Sequence, residues 1–389
     1  MTPKPPRVID IAPEHLQRVQ RAIDDVRAGK FVILVDDEDR ENEGDLCLAA
    51  ERVTPEAVNF MAVHGRGLVC VTLSEEQVKR LELPMMGAPG HRAARLGTAF
   101  TVSIEARDGV TTGISAADRA HTIRVAASPQ ARPEDVVVPG HVFPLQARKG
   151  GVLVRAGQTE GSVDLARLAG LAPAGVICEI IRDDGEMARL PDLEGFAARH
   201  GLAILTIADL IAYRLQTEAL VRRVAEREVL LDRTGTNWRA VLFESEIDER
   251  RVLALVKGSV GETVLCRMQR GSLMSDVFSS SLAGGGHALG ESLSAIDAAG
   301  SGVVVYLPPQ DPLGVELETE RTSDPGSSGG VPARTLREYG LGAQVLRELG
   351  VRRLRLLTNH PPRIAGLHGH GLDLVECVPL PDRYPTDRH

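Results

Sequence analysis

A buried strand that runs straight into a block of acid sets the strongest constraint on this chain. Phe31-Val32-Ile33-Leu34-Val35 is continuously apolar, the pattern of a strand covered on both faces. Asp36-Asp37-Glu38-Asp39-Arg40-Glu41-Asn42-Glu43-Gly44-Asp45 follows without a break, and of its ten positions only Arg40, Asn42 and Gly44 are not acidic. Side chains alternate along an extended chain, so an extended 41–45 would point Glu41, Glu43 and Asp45 to one side. Three carboxylates on one face repel one another unless protons, an arginine or a cation lie among them. Hard divalent cations such as Mg²⁺ take such oxygens, often together with oxygens of a substrate. The plainer alternative is an acidic surface turn, because most charge runs are simply solvated.

With 389 residues the chain has room for two ordinary domains. Lys+Arg 45 against Asp+Glu 53 leaves a formal charge of −8, which excludes the broad basic face of a nucleic-acid binder or an anionic-membrane binder. A local basic pocket for one phosphate is compatible with that balance. Aromatic residues are only 3%, so the cores must be built from Ala, Val, Leu and Ile. The N-terminal Met1-Thr2-Pro3-Lys4-Pro5-Pro6-Arg7 lacks the apolar region of a signal peptide, and no apolar run approaches the ~18 residues of a membrane span. A cytoplasmic protein is expected. Cys47, Cys70, Cys178, Cys266 and Cys377 form no CxxC pair, so they are expected to be reduced core thiols.

Periodicity predicts helices over 13–29, 55–63, 160–170 and 334–349, with another opening at the N-cap Ser115. Strands are predicted over 31–36, 68–73, 100–106, 175–181, 203–207, 239–245, 251–257, 302–307, 354–358 and 372–378. Residues 83–97, 279–290 and 323–332, rich in Gly, Pro, Ser or Arg, read as loops. The charged stretch around Arg222-Arg223-Val224-Ala225-Glu226-Arg227-Glu228 continues a helical segment from Asp209. This alternation gives an α/β (α+β) chain of two domains, each a mixed sheet packed with helices, with a boundary near 218.

Four motifs carry a resemblance to a known family. They are the acidic run 35–45, Gly109-Val110-Thr111-Thr112-Gly113-Ile114-Ser115-Ala116-Ala117-Asp118-Arg119, Pro139-Gly140-His141-Val142-Phe143-Pro144-Leu145 and Asp183-Asp184-Gly185-Glu186-Met187-Ala188-Arg189. Residues 8–216 thereby resemble 3,4-dihydroxy-2-butanone 4-phosphate synthase, and that domain is expected over 1–217. The resemblance implies conversion of ribulose 5-phosphate to 3,4-dihydroxy-2-butanone 4-phosphate and formate in riboflavin biosynthesis, with Mg²⁺ or Mn²⁺, in a homodimer. Enolising a ketose needs a base and a cation that stabilises the enediolate. Carried over, Glu41 is a metal ligand, Arg40 and Asp45 hold substrate, and Arg155 and Thr159 hold its phosphate. His141 and Glu179 are the candidate proton-transfer residues, with Glu179 also against the substrate. One departure stands out. The family's Arg-x-Gly-His-Thr-Glu is Arg155-Ala156-Gly157-Gln158-Thr159-Glu160 here, so the metal-ligating His is Gln158. An amide oxygen can bind a hard cation, but it is a weaker ligand and no general base. Arg182 likewise stands where the family more often has Asn.

Residues 218–389 resemble GTP cyclohydrolase II through Asp276-Val277-Phe278, Arg337-Glu338-Tyr339-Gly340-Leu341-Gly342-Ala343-Gln344 and Leu356-Leu357-Thr358-Asn359. That family holds zinc with three Cys. Here the first position is Ser272, and 279–290 contains no Cys. The nucleotide segment has become Pro308-Pro309-Gln310-Asp311-Pro312-Leu313-Gly314, and the catalytic Asp two residues before the retained Arg337 is Thr335. Zn²⁺ wants thiolate, imidazole or carboxylate, so neither zinc nor GTP hydrolysis is expected. His287 cannot rebuild the site alone, and His360, His368 and His370 form only a weak metal candidate. A rival to the synthase reading is a non-catalytic paralogue that binds a sugar phosphate or nucleotide, or acts as a scaffold.

Overall fold

The computed structural model describes residues 13–37, 40–87, 98–247, 250–278, 287–308, 333–359 and 372–380. They divide into two compact units, Pro13–Tyr213 and the residues from Arg214 onward. The strand and helix alternation read from the sequence is borne out as two mixed sheets packed with helices.

In the first unit helix α1 (Pro13–Arg27) precedes β1 (Val32–Val35) and β2 (Gly44–Ala49), and α2 (Pro55–Phe60) leads to β3 (Cys70–Leu73) and α3 (Glu75–Arg80). Next come β4 (Ile104–Ala106), α4 (Ala116–Ala127), β5 (Val136–Gln146), α5 (Gln158–Leu168) and β6 (Ala174–Glu179). The unit ends with α6 (Leu190–His200), β7 (Ala203–Thr206) and the start of α7 (Ile207–Thr217). The described strands form one sheet in the order β4-β5-β3-β6-β2-β1-β7. Its core cluster takes Ile33, Leu46, Leu48, Val71, Val176 and Cys178 from one face, together with Val58 of α2, Ile123 of α4 and Leu193 of α6. Helix α5 covers the opposite face: Leu34 and Ile207 close on its Gly161. Both faces are therefore covered, which is why β1 and β6 read as continuous apolar runs. A buried chain of hydroxyls fixes α5 to the sheet. Thr72 Oγ1 lies 2.7 Å from Ser162 Oγ, which donates to the Thr159 carbonyl, and Gly175 N donates to Thr72 Oγ1.

Several expectations are corrected. Residues 41–45 are not extended throughout: 41–43 complete a turn. Asn42 adopts φ 54, a left-handed turn that Asn tolerates, and β2 begins only at Gly44. Pro139 and Gly140, which argue against a strand, lie within the 11-residue β5, with a cis Val138–Pro139 bond. The loop 83–97 is described only at 83–87, where Met85 bridges to Thr101. Ser115 is the N-cap expected of it: its Oγ accepts from Asp118 N at 3.0 Å.

The second unit holds β8 (Val221–Leu231), β9 (Thr236–Ser245), β10 (Arg251–Lys257), β11 (Thr263–Arg270), α8 (Leu273–Asp276), α9 (Ala288–Ala299), β12 (Gly302–Leu307), α10 (Ala333–Glu348), β13 (Arg353–Leu357) and β14 (Asp373–Val378). Its strand order is β14-β13-β11-β12-β10-β9-β8. The charged 222–228 is thus an edge strand and not a helix. A turn closed by Gly235, whose N donates to the Leu231 carbonyl, folds it back onto β9. Charge on one face suits either state, and backbone pairing decides between them.

Candidate active site in the first unit

The acidic turn is built around Asp36. Its side chain is fully buried at the end of β1, Oδ1 accepts from Glu43 N at 2.9 Å, and Oδ2 accepts from Glu41 N at 3.1 Å. Arg40 Nη1 donates to the same Oδ2 at 2.6 Å, while its Nη2 donates to Glu41 Oε1 at 2.9 Å. Arg189 donates from Nη1 to the carbonyls of Glu41 and Asn42 and clamps the outside of the turn. Asp36 and Arg189, which sequence reasoning did not assign, are the two residues that give the turn its shape.

Asp45 lies opposite Glu179 where β2 pairs with β6. Two carboxylates at directly opposed positions repel. Burial raises the Asp45 carboxyl well above its usual range, and Glu179, Glu41, Asp36 and Glu43 push the same way. Glu43 is raised for the same reasons, burial first and then Glu41, with Arg189 opposing. Glu179 Oε2 accepts from Leu68 N at 2.8 Å, and Gly67 N donates to the Glu179 carbonyl. A Cβ at Gly67 would meet Glu179 Oε2 at 2.5 Å, so only glycine permits this approach. The loop comes from a π-helical turn, Met61–Gly65, whose His64 ring lies tilted against His200 at 4.9 Å beside Phe60.

Helix α5 begins at this cluster. Its N-cap Gly157 carries no side chain, and a Cβ there would lie 2.7 Å from Arg155 Nη1 and 3.0 Å from Arg40 Nη2. Two guanidiniums thus converge at the N-terminus of an 11-residue helix, where free backbone N–H groups and the dipole favour an anion. Arg155 is held by Glu160, Nη1 to Oε2 at 2.7 Å. Burial raises the Glu160 carboxyl and Arg155 opposes the rise. Gln158 and Thr159 are buried in the first turn, and Gln158 Oε1 accepts from Arg40 Nη1 at 2.7 Å.

His141 stands apart from the acidic turn but level with it. Phe143, Cys70, Ile177 and Cys47 are cross-strand partners in turn, and so are Glu179, Asp45 and Leu34. Carrying that register two residues along β5 puts His141 on the same line as Glu179 and Asp45, about 14 Å from Asp45 across three strand spacings. Its Nδ1 is 2.7 Å from Glu105 Oε2, and Thr122 Oγ1 donates to Glu105 Oε1 at 3.0 Å. Sequence reasoning missed Glu105. The one available signal was its place in the strand-like run 100–106.

Among the described residues no three His, Cys, Asp or Glu side chains converge on one point as a closed metal site. The chemistry of the donors still suits Mg²⁺, which usually takes one or two carboxylates and fills its shell with water and substrate oxygens. Asp45 and Glu43, raised by burial first and by neighbouring carboxylates second, mark a place where a hard cation would relieve crowded charge.

In the second unit Ser272 caps α8. Its Oγ accepts from Ser275 N at 3.0 Å, and its N donates to Asp276 Oδ2 at 2.9 Å. Gln269 Nε2 donates to Asp276 Oδ1 at 3.0 Å. Thr335 and Arg337 lie on α10, and their side chains fall outside the described residues, as do 309–332, His360, His368 and His370.

Residues 20–213 match the 3,4-dihydroxy-2-butanone 4-phosphate synthase family and residues 222–379 the GTP cyclohydrolase II family. The riboflavin biosynthesis protein RibBA of Aquifex aeolicus is 49% identical, over 93% of this chain and 92% of its own length. A monofunctional riboflavin biosynthesis protein of Arabidopsis thaliana, RIBA 2, is 46% identical over 93% of this chain and 76% of its own. The crystal structure of RibBX, a two-domain 3,4-dihydroxy-2-butanone 4-phosphate synthase from A. baumannii, superposes with a TM-score of 0.78 at 42% identity, covering 94% of this chain and 100% of that one. The rival reading of a non-catalytic paralogue finds no support in these relatives. The chain belongs to the family of two-domain riboflavin biosynthesis proteins that join a 3,4-dihydroxy-2-butanone 4-phosphate synthase domain to a GTP cyclohydrolase II domain.

Proposed function

We propose that the first unit converts ribulose 5-phosphate to 3,4-dihydroxy-2-butanone 4-phosphate and formate with Mg²⁺, and that the second unit hydrolyses no GTP. The observation that carries the first half is the convergence of Arg40 and Arg155 at the N-terminus of α5, beside the carboxylates of the acidic turn. Phosphate oxygens fit two guanidiniums and free backbone N–H groups. Thr159, in the first turn of α5, adds a hydroxyl to that phosphate site. Glu41 is the proposed metal ligand, and Glu43 and Asp45 supply further charge around the ion. Bound there, the cation would stabilise the enediolate oxygens. Asp45 holds the sugar hydroxyls. Glu179, fixed by Leu68 N, and His141, fixed by Glu105, are the proposed groups that take and return protons. The net charge of −8 supports a small-molecule substrate and no nucleic-acid partner. Exposed Val137 and Val138 on β5 and Ile114 in the neighbouring turn support a homodimer.

For the second unit, the support is the Ser at position 272, the Thr at 335 and the absence of Cys in 279–290. The A. baumannii relative is named for the synthase alone, and the Arabidopsis relative is named monofunctional. The donor chemistry at 272 and 279–290 supports a unit without zinc. The test is formate release by the full chain from two substrates. Release from ribulose 5-phosphate that stops on chelation is expected. Release from GTP by zinc-loaded protein would overturn the second half, and no release from ribulose 5-phosphate the first. A monomer by light scattering at micromolar concentration would remove the dimer.

A further inference from the structure

Gln158 is 4% exposed and opens α5. Both ends of its amide face the acidic turn. Oε1 accepts from Arg40 Nη1 at 2.7 Å, and Nε2 lies 3.5 Å from the Glu43 carbonyl oxygen. Among the described residues Arg40 therefore has three acceptors around it, Asp36, Glu41 and Gln158, from the end of β1, the turn and the helix. Only Gln158 comes from α5, the element at whose N-terminus Arg40 Nη2 must stand. An amide oxygen engaged by a guanidinium at this distance already has one of its two lone pairs directed at a cation. A metal on the same oxygen would sit beside Arg40 and be repelled by it, whereas Glu41, which Arg40 also holds through Oε1, is a carboxylate with a second oxygen for a cation.

We propose that Gln158 is a positioning residue for Arg40 and not a metal ligand. It ties the guanidinium to the start of α5 so that Arg40 and Arg155 face one phosphate group across Gly157. Its neutrality matters. Asp36 and Glu41 already place two negative charges on Arg40, and a third would cancel the field that attracts a phosphate. An amide supplies the hydrogen bond without the charge. The inference rests on reading this site as a sugar-phosphate site, and its test separates the two.

The test uses the full chain with Gln158→Met, which keeps the volume and removes the acceptor, and Gln158→Asn, which keeps the amide but is too short to reach Arg40. Mn²⁺ binding to substrate-free protein is followed by electron paramagnetic resonance, and inorganic phosphate binding by calorimetry. Neither depends on turnover. Both variants are expected to bind Mn²⁺ within about twofold of wild type and phosphate about tenfold more weakly, the scale of one charge-assisted hydrogen bond. KM for ribulose 5-phosphate should rise by a similar factor, with a smaller change in kcat. Combined with Arg40→Lys, the loss should be less than multiplicative, because both changes disable one contact. Tenfold weaker Mn²⁺ binding with unchanged phosphate binding, or fully multiplicative losses with Arg40→Lys, would overturn the proposal. Wild-type protein that binds phosphate but never releases formate would fail the proposed function while leaving the role of Gln158 measurable. If Gln158→Met does not fold, Gln158→Asn gives the same readings.

Discussion

Glu105 is the residue whose role is hardest to see in the sequence and easiest to test. It is buried, holds His141 Nδ1 at 2.7 Å and is held by Thr122. A ring fixed through one nitrogen presents the other at a set angle, so the loss of Glu105 should act through His141. Glu105→Gln keeps the shape and removes the charge, and kcat is expected to fall about tenfold to a hundredfold with KM within about twofold. Stopped assays of formate release check this, and an unchanged kcat would separate Glu105 from catalysis. The sequence named His141 but not its partner, because 36 residues separate them and only the β4–β5 register, with Ile104 beside Val142, brings them together. Asp36 shows the converse. It was visible as part of an acidic run, yet its work is to accept two backbone N–H groups and shape the turn. Chemistry was legible at this scale and geometry was not.

At the scale of elements, the N-terminus of α5 gives a direct prediction. Gly157→Ala places a methyl group among guanidinium atoms that Asp36, Glu41 and Glu160 anchor. The guanidiniums must part, so phosphate affinity should fall about tenfold while the melting temperature changes by only a few degrees. Calorimetry with inorganic phosphate reads the first, and retained affinity would mean that the two arginines do not act on one anion. The π-helical turn behind Glu179 predicts a pH effect. Burial, then His64 and Arg199, lower His200 below the ordinary imidazole value of 6.5. The unfolded chain therefore takes up a proton before the folded one does. Stability contributed by neutral His200 is present above pH 6.5 and is lost as pH falls from 6.5 toward the lowered folded value. His200→Gln should lose less melting temperature than wild type between about pH 7.5 and about pH 5.5, and equal losses would refute the link. Elements with clean periods, such as β1, β6 and α1, were legible in the sequence. β5 was obscured by Pro139-Gly140, and β8 by charges that fit a helix as well as an edge strand.

The whole molecule keeps two sheets of seven described strands but a different store of chemistry in each. The first unit gathers Arg40, Glu41, Asp45, Arg155 and Glu179 from three separate stretches of chain. In the second, Ser272 stands where the resemblance to GTP cyclohydrolase II would call for the first zinc thiolate, and the turn there is closed by Ser272 accepting from Ser275 N and donating from its own N to Asp276. Heating the full chain with EDTA, or with added Zn²⁺, is therefore expected to leave the unfolding of the second unit unmoved, whereas a metal-held fold would shift by several degrees. Differential scanning calorimetry reads this, and a zinc-dependent rise in its melting would restore the metal. The cysteine pattern is the source of this expectation. Which cation contacts remain was not legible there, since a ligand set is fixed by convergence in space.

The reciprocal capping of α8 has a thermodynamic meaning. A turn tied by a bound ion contributes stability that grows with the logarithm of free-ion concentration once the site begins to fill. A turn tied by its own hydroxyl and carboxylate has no such variable. Where zinc becomes scarce, a fold built on it loosens in proportion to the shortage. On the proposed reading of the second unit, this turn would hold the same shape in zinc-starved and zinc-replete surroundings alike, and its folding would be uncoupled from the trace-metal supply.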